Sequence, residues 1–61
     1  MLKVMIYTAG AAYSEDEQIT EEGREELKEN LKRIGDEILE GFTYGYIMDI
    51  NGNKTGTWSL D

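Results

Sequence analysis

The chain has 61 residues, no cysteine and no histidine, and its 13 acidic residues against 6 basic ones give a net charge of −7. These counts exclude disulfides, thiolate sites and imidazole sites, and the charge opposes binding to nucleic acid or to anionic lipid heads. A domain of this size buries only about 60% of the surface of its unfolded chain, so its core must be thin. We therefore expect one small domain over residues 1–61 that depends on good local packing or on self-association.

The hydrophobic residues make up 39% of the chain and fall in periodic runs, which is typical of a folded protein. The apolar stretches are far shorter than a membrane span, and the first eight residues lack the basic start and the cleavage site of a secretory signal. We therefore expect a cytoplasmic protein whose partners are neither nucleic acid nor membrane.

The first predicted element is a strand within residues 1–8, because β-branched and apolar residues alternate there. The strand is apolar on both sides, with Leu2, Val4 and Ile6 on one side and Lys3, Met5 and Tyr7 on the other. The segment from Gly10 to about Ile19 has few apolar residues and is predicted to be a loop.

The second predicted element is a helix. Four apolar residues recur at steps of four, three and four, which places them on one helical stripe: Leu27, Leu31, Ile34 and Ile38. Two glycines, Gly23 and Gly35, lie next to this stripe, and we expect each to allow close approach of a bulky aromatic residue.

The ends of the helix carry capping signals. Thr20 is the favoured N-cap, with two acids following it in the first turn, although Ser14-Glu15-Asp16-Glu17 also fits a capping box that would start the helix earlier. Gly41 suits the left-handed position after a helix, so the helix is expected to end after Glu40.

The last third of the chain is predicted to be a hairpin. Asn51-Gly52 is the preferred pair for a two-residue type I′ turn, in which both residues have positive φ. That turn pairs the strands as follows: Ile50 with Asn53, Asp49 with Lys54, Met48 with Thr55, Ile47 with Gly56, Tyr46 with Thr57, Gly45 with Trp58, and Tyr44 with Ser59. A turn of three or four residues that includes Asn53 is the alternative, and it would shift these pairs.

Alternation gives the hairpin two partly apolar faces, of which one helix can cover only one. One face carries Ile47, Trp58 and Leu60, with Gly45 and Gly56 leaving room; the other carries Phe42, Tyr44, Tyr46, Met48 and Ile50, opposed by Thr55, Thr57 and Ser59. We expect the helix to cover the Trp58 face. The candidate interface is then Tyr44, Tyr46, Met48 and Ile50, although amphipathic residues on an open sheet with no partner explain the same pattern.

The predicted fold class is therefore α+β, with the order β-α-β-β and a three-stranded sheet under one helix. The first strand can lie parallel beside residues 42–50 or antiparallel beside residues 55–60, which gives the order 2-3-1. We favour the second arrangement, because a strand rich in threonine and serine makes a weak solvent edge for so small a domain.

Acidic residues are concentrated between Glu15 and Glu29, a segment that has eight acidic residues and only two basic ones. The candidate acidic face on the helix consists of Glu21, Glu22, Glu25, Glu26 and Glu29. Acids crowded on one exposed stretch are typical of a solvated surface, whereas acid–base catalysis needs carboxyls of unlike environment in a cleft. Ser14 and Ser59 have no histidine to act as base. We predict no catalytic residue, no enzyme activity and no cofactor.

Asp49-x-Asn51-x-Asn53 is similar to the first three ligand positions of a calcium loop. However, Lys54 stands where that loop needs its glycine, and Leu60 stands where it needs its glutamate. A plain hairpin explains the same residues, so we predict no metal site.

The segment from Ile38 to Tyr46, together with the later Gly52, Gly56 and Trp58, resembles a pattern in short uncharacterised proteins of bacteria and of their phages or other mobile elements. In these proteins a helix ends in a Gly-aromatic-Thr-x-Gly step, and the chain closes with a tryptophan strand. Tyr44 departs from the pattern, in which serine is commoner. The resemblance implies a mobile-element context and brings no activity with it.

Two functional hypotheses follow. The first is a small non-enzymatic interaction protein that forms a homodimer or another homo-oligomer through its aromatic sheet face or edge. The second is a nucleic-acid mimic from a mobile element, in which the acidic face imitates phosphates towards a basic host protein.

Overall fold

The computed structural model describes all 61 residues, which form one helix and five strands. The elements in chain order are β1 (Leu2–Ile6), β2 (Ser14–Glu15), β3 (Gln18–Ile19), α1 (Glu21–Leu39), β4 (Tyr44–Met48) and β5 (Lys54–Leu60). β1, β5 and β4 form a three-stranded antiparallel sheet in that order, and β2 and β3 form a separate two-stranded hairpin. The α+β class is confirmed, and so is the favoured strand order, since β1 lies antiparallel to β5.

Both ends of α1 agree with the predicted caps. The hydroxyl of Thr20 accepts a hydrogen bond from the Gly23 backbone N–H at 2.9 Å, as an N-cap does. At the other end Gly41 has φ +102°, and the Phe42 N–H donates to the Glu37 carbonyl at 3.1 Å. This Schellman arrangement turns the chain sharply into β4.

The turn between β4 and β5 differs from the predicted two-residue type. The Asp49 N–H donates to the Asn53 carbonyl at 2.9 Å, and the Gly52 N–H donates to the Asp49 carbonyl at 3.0 Å. Ile50, Asn51 and Gly52 therefore form a three-residue loop. Within it only Gly52 has a positive φ, at +81°, so the type I′ prediction was wrong. The longer alternative was right in length, but the third loop residue is Ile50 and not Asn53.

A β-bulge follows this loop in β5. Met48 pairs with Lys54 and Ile47 pairs with Gly56, so Thr55 is an extra residue with no partner on β4. The longer loop shifts the register by one residue and the bulge shifts it back. The inner predicted pairs are therefore wrong, whereas the outer four are confirmed: Ile47 with Gly56, Tyr46 with Thr57, Gly45 with Trp58, and Tyr44 with Ser59.

The helix covers the Trp58 face of the sheet, as expected. Ile34, Ile47 and Trp58 are buried together, and half-buried apolar residues pack around them: Val4, Ile6, Ile38 and Leu60. The indole lies over Gly45, where a Cβ atom would stand 2.6 Å from the indole nitrogen. Glycine at this position therefore makes room for the largest side chain of the core.

The buried stripe of α1 is rotated from the predicted one. Leu31 is 53% exposed, whereas Asn30 is only 2% exposed. The centre of the stripe runs through Gly23, Asn30 and Ile34, all of them buried, which moves Leu31 out to the solvent edge. The prediction for Leu31 was wrong because it counted only apolar residues, and a polar residue occupies the buried position.

The two helix glycines have different surroundings. A Cβ atom on Gly23 would collide with the backbone carbonyl of Tyr13, so close approach does occur there, although the neighbour is backbone and not an aromatic ring. Gly35 is exposed, and a Cβ atom there would meet nothing within 4 Å. The prediction of close packing at Gly35 was therefore wrong.

The segment between β1 and α1, predicted to be a loop, contains the β2–β3 hairpin. Its two turn residues, Asp16 and Glu17, have φ values of +50° and +65°, the signs that a type I′ turn requires. The residue just before β2 is Tyr13, which is completely buried. This segment therefore forms part of the core and does not simply connect two elements.

Candidate protein-interaction surface

The sheet face opposite α1 is uncovered, and we call it the open face. It consists of Lys3, Met5, Tyr7, Tyr44, Tyr46, Met48, Lys54, Thr57 and Ser59. Long side chains stand on the two outer strands, and the central strand β5 carries short ones, apart from Lys54 at its start. The result is a groove of about 300 Å³ with Thr57 and Ser59 on its floor, Tyr44 and Tyr46 along one wall, and Lys3 and Met5 along the other.

The walls of this groove are exposed and, apart from Lys3, formed by aromatic or apolar side chains. Tyr44 is 71% exposed, Tyr46 is 64% exposed and Met5 is 73% exposed. Met5 on β1 and the two tyrosines on β4 stand on opposite sides of β5, about 10 Å apart, so two apolar walls face each other across the groove. Three of the four predicted interface residues thus lie on one surface, and Met5 of β1 and Tyr7 just after β1 extend it.

The fourth predicted interface residue stands apart from the other three. Ile50 is exposed, but it lies in the three-residue loop beyond β4 and outside the strand alternation. The longer loop is the reason, since a two-residue turn would have kept Ile50 in the strand. Ile50 therefore extends the end of the hairpin and not the groove.

The charge on the open face is positive, although the chain as a whole is strongly negative. Two of the six basic residues, Lys3 and Lys54, stand on it, and it carries no acidic side chain. The Lys54 ammonium lies 4.1 Å from the centre of the Tyr46 ring, within the range of a cation–π contact. This contact holds the lysine stem along the tyrosine wall.

The predicted acidic face lies on the first half of α1, away from the open face. Glu21, Glu22, Glu25 and Glu29 are exposed, whereas Glu26 is half-buried and accepts a hydrogen bond from the Asn30 amide at 3.3 Å. The single salt bridge of the chain joins the N-terminal ammonium to the Asp61 carboxylate at 3.2 Å. The four exposed glutamates are therefore free of ion pairs.

A buried polar cluster, which sequence reasoning missed, joins the loop, the helix and the sheet. The Tyr13 hydroxyl donates to the Asn30 side-chain carbonyl at 2.7 Å and lies 2.9 Å from the Thr55 hydroxyl. The Asn30 amide in turn donates to the Met48 carbonyl at 3.3 Å. One signal was available, because Asn30 falls at the helical step between Leu27 and Ile34. The cluster is structural, since its members bond mainly to one another and to the backbone.

The residues similar to a calcium loop serve the hairpin turn. The Asp49 carboxylate accepts hydrogen bonds from the backbone N–H groups of Asn51 at 2.9 Å and of Asn53 at 2.8 Å. An aspartate that bonds to the backbone two residues on is a common turn device. This bonding accounts for the short polar side chains at these positions.

Comparison with known proteins gives no match: no protein-family model fits the chain, and no curated protein and no solved structure is significantly similar to it. No helix in the structure combines the length and the apolar character needed to span a bilayer.

Proposed function

We propose that this protein is a small, non-enzymatic protein-interaction module that self-associates through its aromatic sheet face or edge. The observation that supports it is the open face, where Met5 lies across the groove from Tyr44 and Tyr46 and all three are mostly uncovered. Large contiguous apolar patches are uncommon on monomers and mark interaction sites.

The chemistry of these side chains suits a contact surface. Full burial of one large apolar side chain contributes about 1.5–3 kcal/mol, and tyrosine keeps a hydroxyl that can bond at the rim. A 61-residue domain has few buried residues of its own, so covering this face adds to its stability as well as to binding. The resemblance to short proteins of bacterial mobile elements supports a cytoplasmic protein in that setting.

Sedimentation over a range of concentrations tests the proposal. We expect dimers to form in the tens of micromolar range, and the double variant Tyr44→Ala/Tyr46→Ala to remain monomeric. The matched control is Leu31→Ala/Leu39→Ala, which removes two exposed apolar side chains from the helix and should leave the dimer intact. A wild-type chain that stays monomeric at these concentrations would contradict the proposal.

Salt dependence gives a second readout of self-association. Two chains of charge −7 repel each other, and added salt screens this repulsion while it strengthens apolar contacts. The dimer should therefore persist or tighten from low to moderate ionic strength. Dissociation on adding salt would instead indicate contacts between opposite charges.

A second candidate function is the acidic nucleic-acid mimic that binds a basic host protein. It is favoured by the four exposed glutamates on the first half of α1, none of which forms an ion pair. Binding of this kind should weaken steeply with salt, because it depends on opposite charges.

A lysine-rich peptide is a suitable probe for the mimic. The variant Glu22→Gln/Glu25→Gln/Glu29→Gln should lose most of its affinity for the peptide, whereas Asp36→Asn/Glu37→Gln/Glu40→Gln, with the same net charge, should lose much less. Equal losses in the two variants would show attraction to overall charge and no specific acidic face.

A further inference from the structure

We infer that the occupant of the open face is a second copy of this chain, stacked sheet on sheet about a two-fold axis, with the tyrosine wall of each copy in the groove of the other. The inference rests on the proposed self-association and replaces its choice of face or edge with one arrangement. Three features favour this arrangement: the distance it leaves between the acidic helices, its coverage of the exposed tyrosines, and the shape of the open face.

The position of the acidic helix favours this face. The open face carries two lysines and no acid, whereas the exposed glutamates of α1 lie on the other side of the sheet. Packed sheets stand about 10 Å apart, so stacking through the open face leaves one helix on each outer side, with two sheets between them. With two sheets between them, the helices are separated by much more than the Debye length of about 8 Å at physiological salt. Their acidic side chains therefore barely repel each other.

Edge pairing is the main alternative. It brings the acidic helices of the two copies closer together and leaves the tyrosines of the open face uncovered. A two-fold axis perpendicular to the sheet would join two β1 edges or two β4 edges into one six-stranded sheet. Both acidic helices would then lie side by side on the same face. Tyr44, Tyr46 and Met5 would also remain uncovered, on a sheet twice as wide. Edge pairing therefore leaves unexplained the feature that supports self-association.

The shape of the open face is complementary to the open face of a second copy. In an isologous contact the same patch serves both partners, so each patch needs a projecting part and a receiving part. Tyr44 and Tyr46 project, whereas Thr57 and Ser59 form the floor that receives. The hydroxyls on this floor can bond to the tyrosine hydroxyls of the other copy, which keeps the polar tips satisfied when they are covered.

The size of the face predicts a weak and reversible dimer. Three strands span about 14 Å in width and five residues span about 17 Å in length, so the contact falls below about 1,200 Å² in total. Interfaces of that size belong to transient complexes. Lys3 lies on the edge strand β1, where its long stem can keep the ammonium group in water, whereas the Lys54 ammonium rests on the Tyr46 ring.

The central test compares two variants of equal net charge. Thr57→Glu places a carboxylate on the floor of the groove, and Gln18→Glu places one on the exposed β2–β3 hairpin. For a stacked dimer, Thr57→Glu should raise the dissociation constant at least about tenfold, because a larger, charged side chain would fill the floor of the groove and lose its water in the contact. Gln18→Glu should leave it within about twofold of wild type, since rim and distant charges act weakly.

The outcomes separate this inference from the proposed function. If the wild type forms dimers and Thr57→Glu forms them equally well, stacking through the open face is overturned while self-association stands. If the wild type is a monomer throughout, both fall. Circular dichroism and Trp58 fluorescence check that Thr57→Glu is folded, and Tyr46→Lys on the groove wall takes its place if it is not.

Amide exchange of the wild type tests the same point without a variant. The Tyr7 N–H donates to the Thr55 carbonyl at 2.7 Å, so by alternation the N–H groups of Val4 and Ile6 point away from β5, at the outer edge. In a stacked dimer these two amides should exchange equally fast at low and high concentration. Slower exchange of these amides that appears only on dimerisation would indicate pairing through the β1 edge and would overturn the inference.

Discussion

The layer between α1 and the sheet has an apolar end and a polar end, and the two ends contribute to the stability and the geometry of the fold in different ways. Beneath the second half of the helix, Ile34 packs on Ile47 and Trp58. Beneath the first half, Asn30 bonds to Tyr13, which reaches Thr55. Apolar packing is non-directional and supplies most of the stabilisation, whereas hydrogen bonds fix which groups meet. The apolar end therefore holds the helix on the sheet, and the polar end fixes the loop and the bulge against it.

The largest expected effect lies at the apolar end. Ile34→Ala should lower the free energy of unfolding by about 4 kcal/mol, because it deletes buried methyl groups and leaves a cavity. A domain of 61 residues has a total stability of about 3–9 kcal/mol, so much of this variant should be unfolded. Leu31→Ala on the same helix should change stability by less than about 0.5 kcal/mol. Urea denaturation at low protein concentration measures both, and equal effects would contradict the rotated stripe.

The next effect concerns the glycine at the polar end. Gly23→Ala should cost about 3 kcal/mol, because the new Cβ would overlap the Tyr13 backbone, which cannot move as a flexible side chain would. The matched change Gly35→Ala should stabilise the protein by about 1 kcal/mol, since it removes glycine from an exposed helix interior with open space around it. Thermal unfolding of the two variants should therefore shift in opposite directions.

A smaller effect is expected from the hydrogen bonds of the polar cluster. Tyr13→Phe should cost about 2 kcal/mol, because it leaves the buried oxygen of Asn30 without its donor. Tyr44→Phe removes an exposed hydroxyl and should be nearly neutral in the monomer. If Tyr13→Phe were equally neutral, the polar end would contribute packing only.

The smallest effect belongs to the helix start. Thr20→Ala removes the hydroxyl that accepts the Gly23 N–H, and it should cost about 1 kcal/mol. Thr43→Ala, at an exposed position before β4, is the control and should be close to neutral. Urea midpoints resolve a difference of this size, and equal midpoints would show that Thr20 contributes little as a cap.

The sequence predicted the features that depend on local chemistry or on apolar periodicity. Thr20 and Gly41 mark the ends of α1 by backbone requirements that hold in any context. The outer hairpin pairs followed from alternation. The choice of the Trp58 face followed from it too, because the face with the bulkiest apolar side chain packs against the helix.

The remaining features depend on contacts between distant residues. Tyr13 stands in a segment with few apolar residues, and its burial requires Asn30 and Thr55, which lie far along the chain. Asp16 and Glu17 adopt positive φ without the asparagine or glycine that usually signals it. Of the candidate interface, Tyr44, Tyr46 and Met48 followed from the strand period, whereas the contribution of Met5 depended on the register between β1 and β5, which alternation alone does not give.

Because of the bulge at Thr55, the tip of the hairpin can differ in length without changing the register of the strands below it. The extra loop residue and the extra strand residue cancel, so length changes at the tip are tolerated when they occur as a compensated pair, one before and one after Gly52. A single insertion or deletion there would instead rotate every later side chain of β5 to the opposite face and bring Trp58 out into water. Homologous chains should therefore vary at this tip by coupled steps, with the frame of the tryptophan strand unchanged.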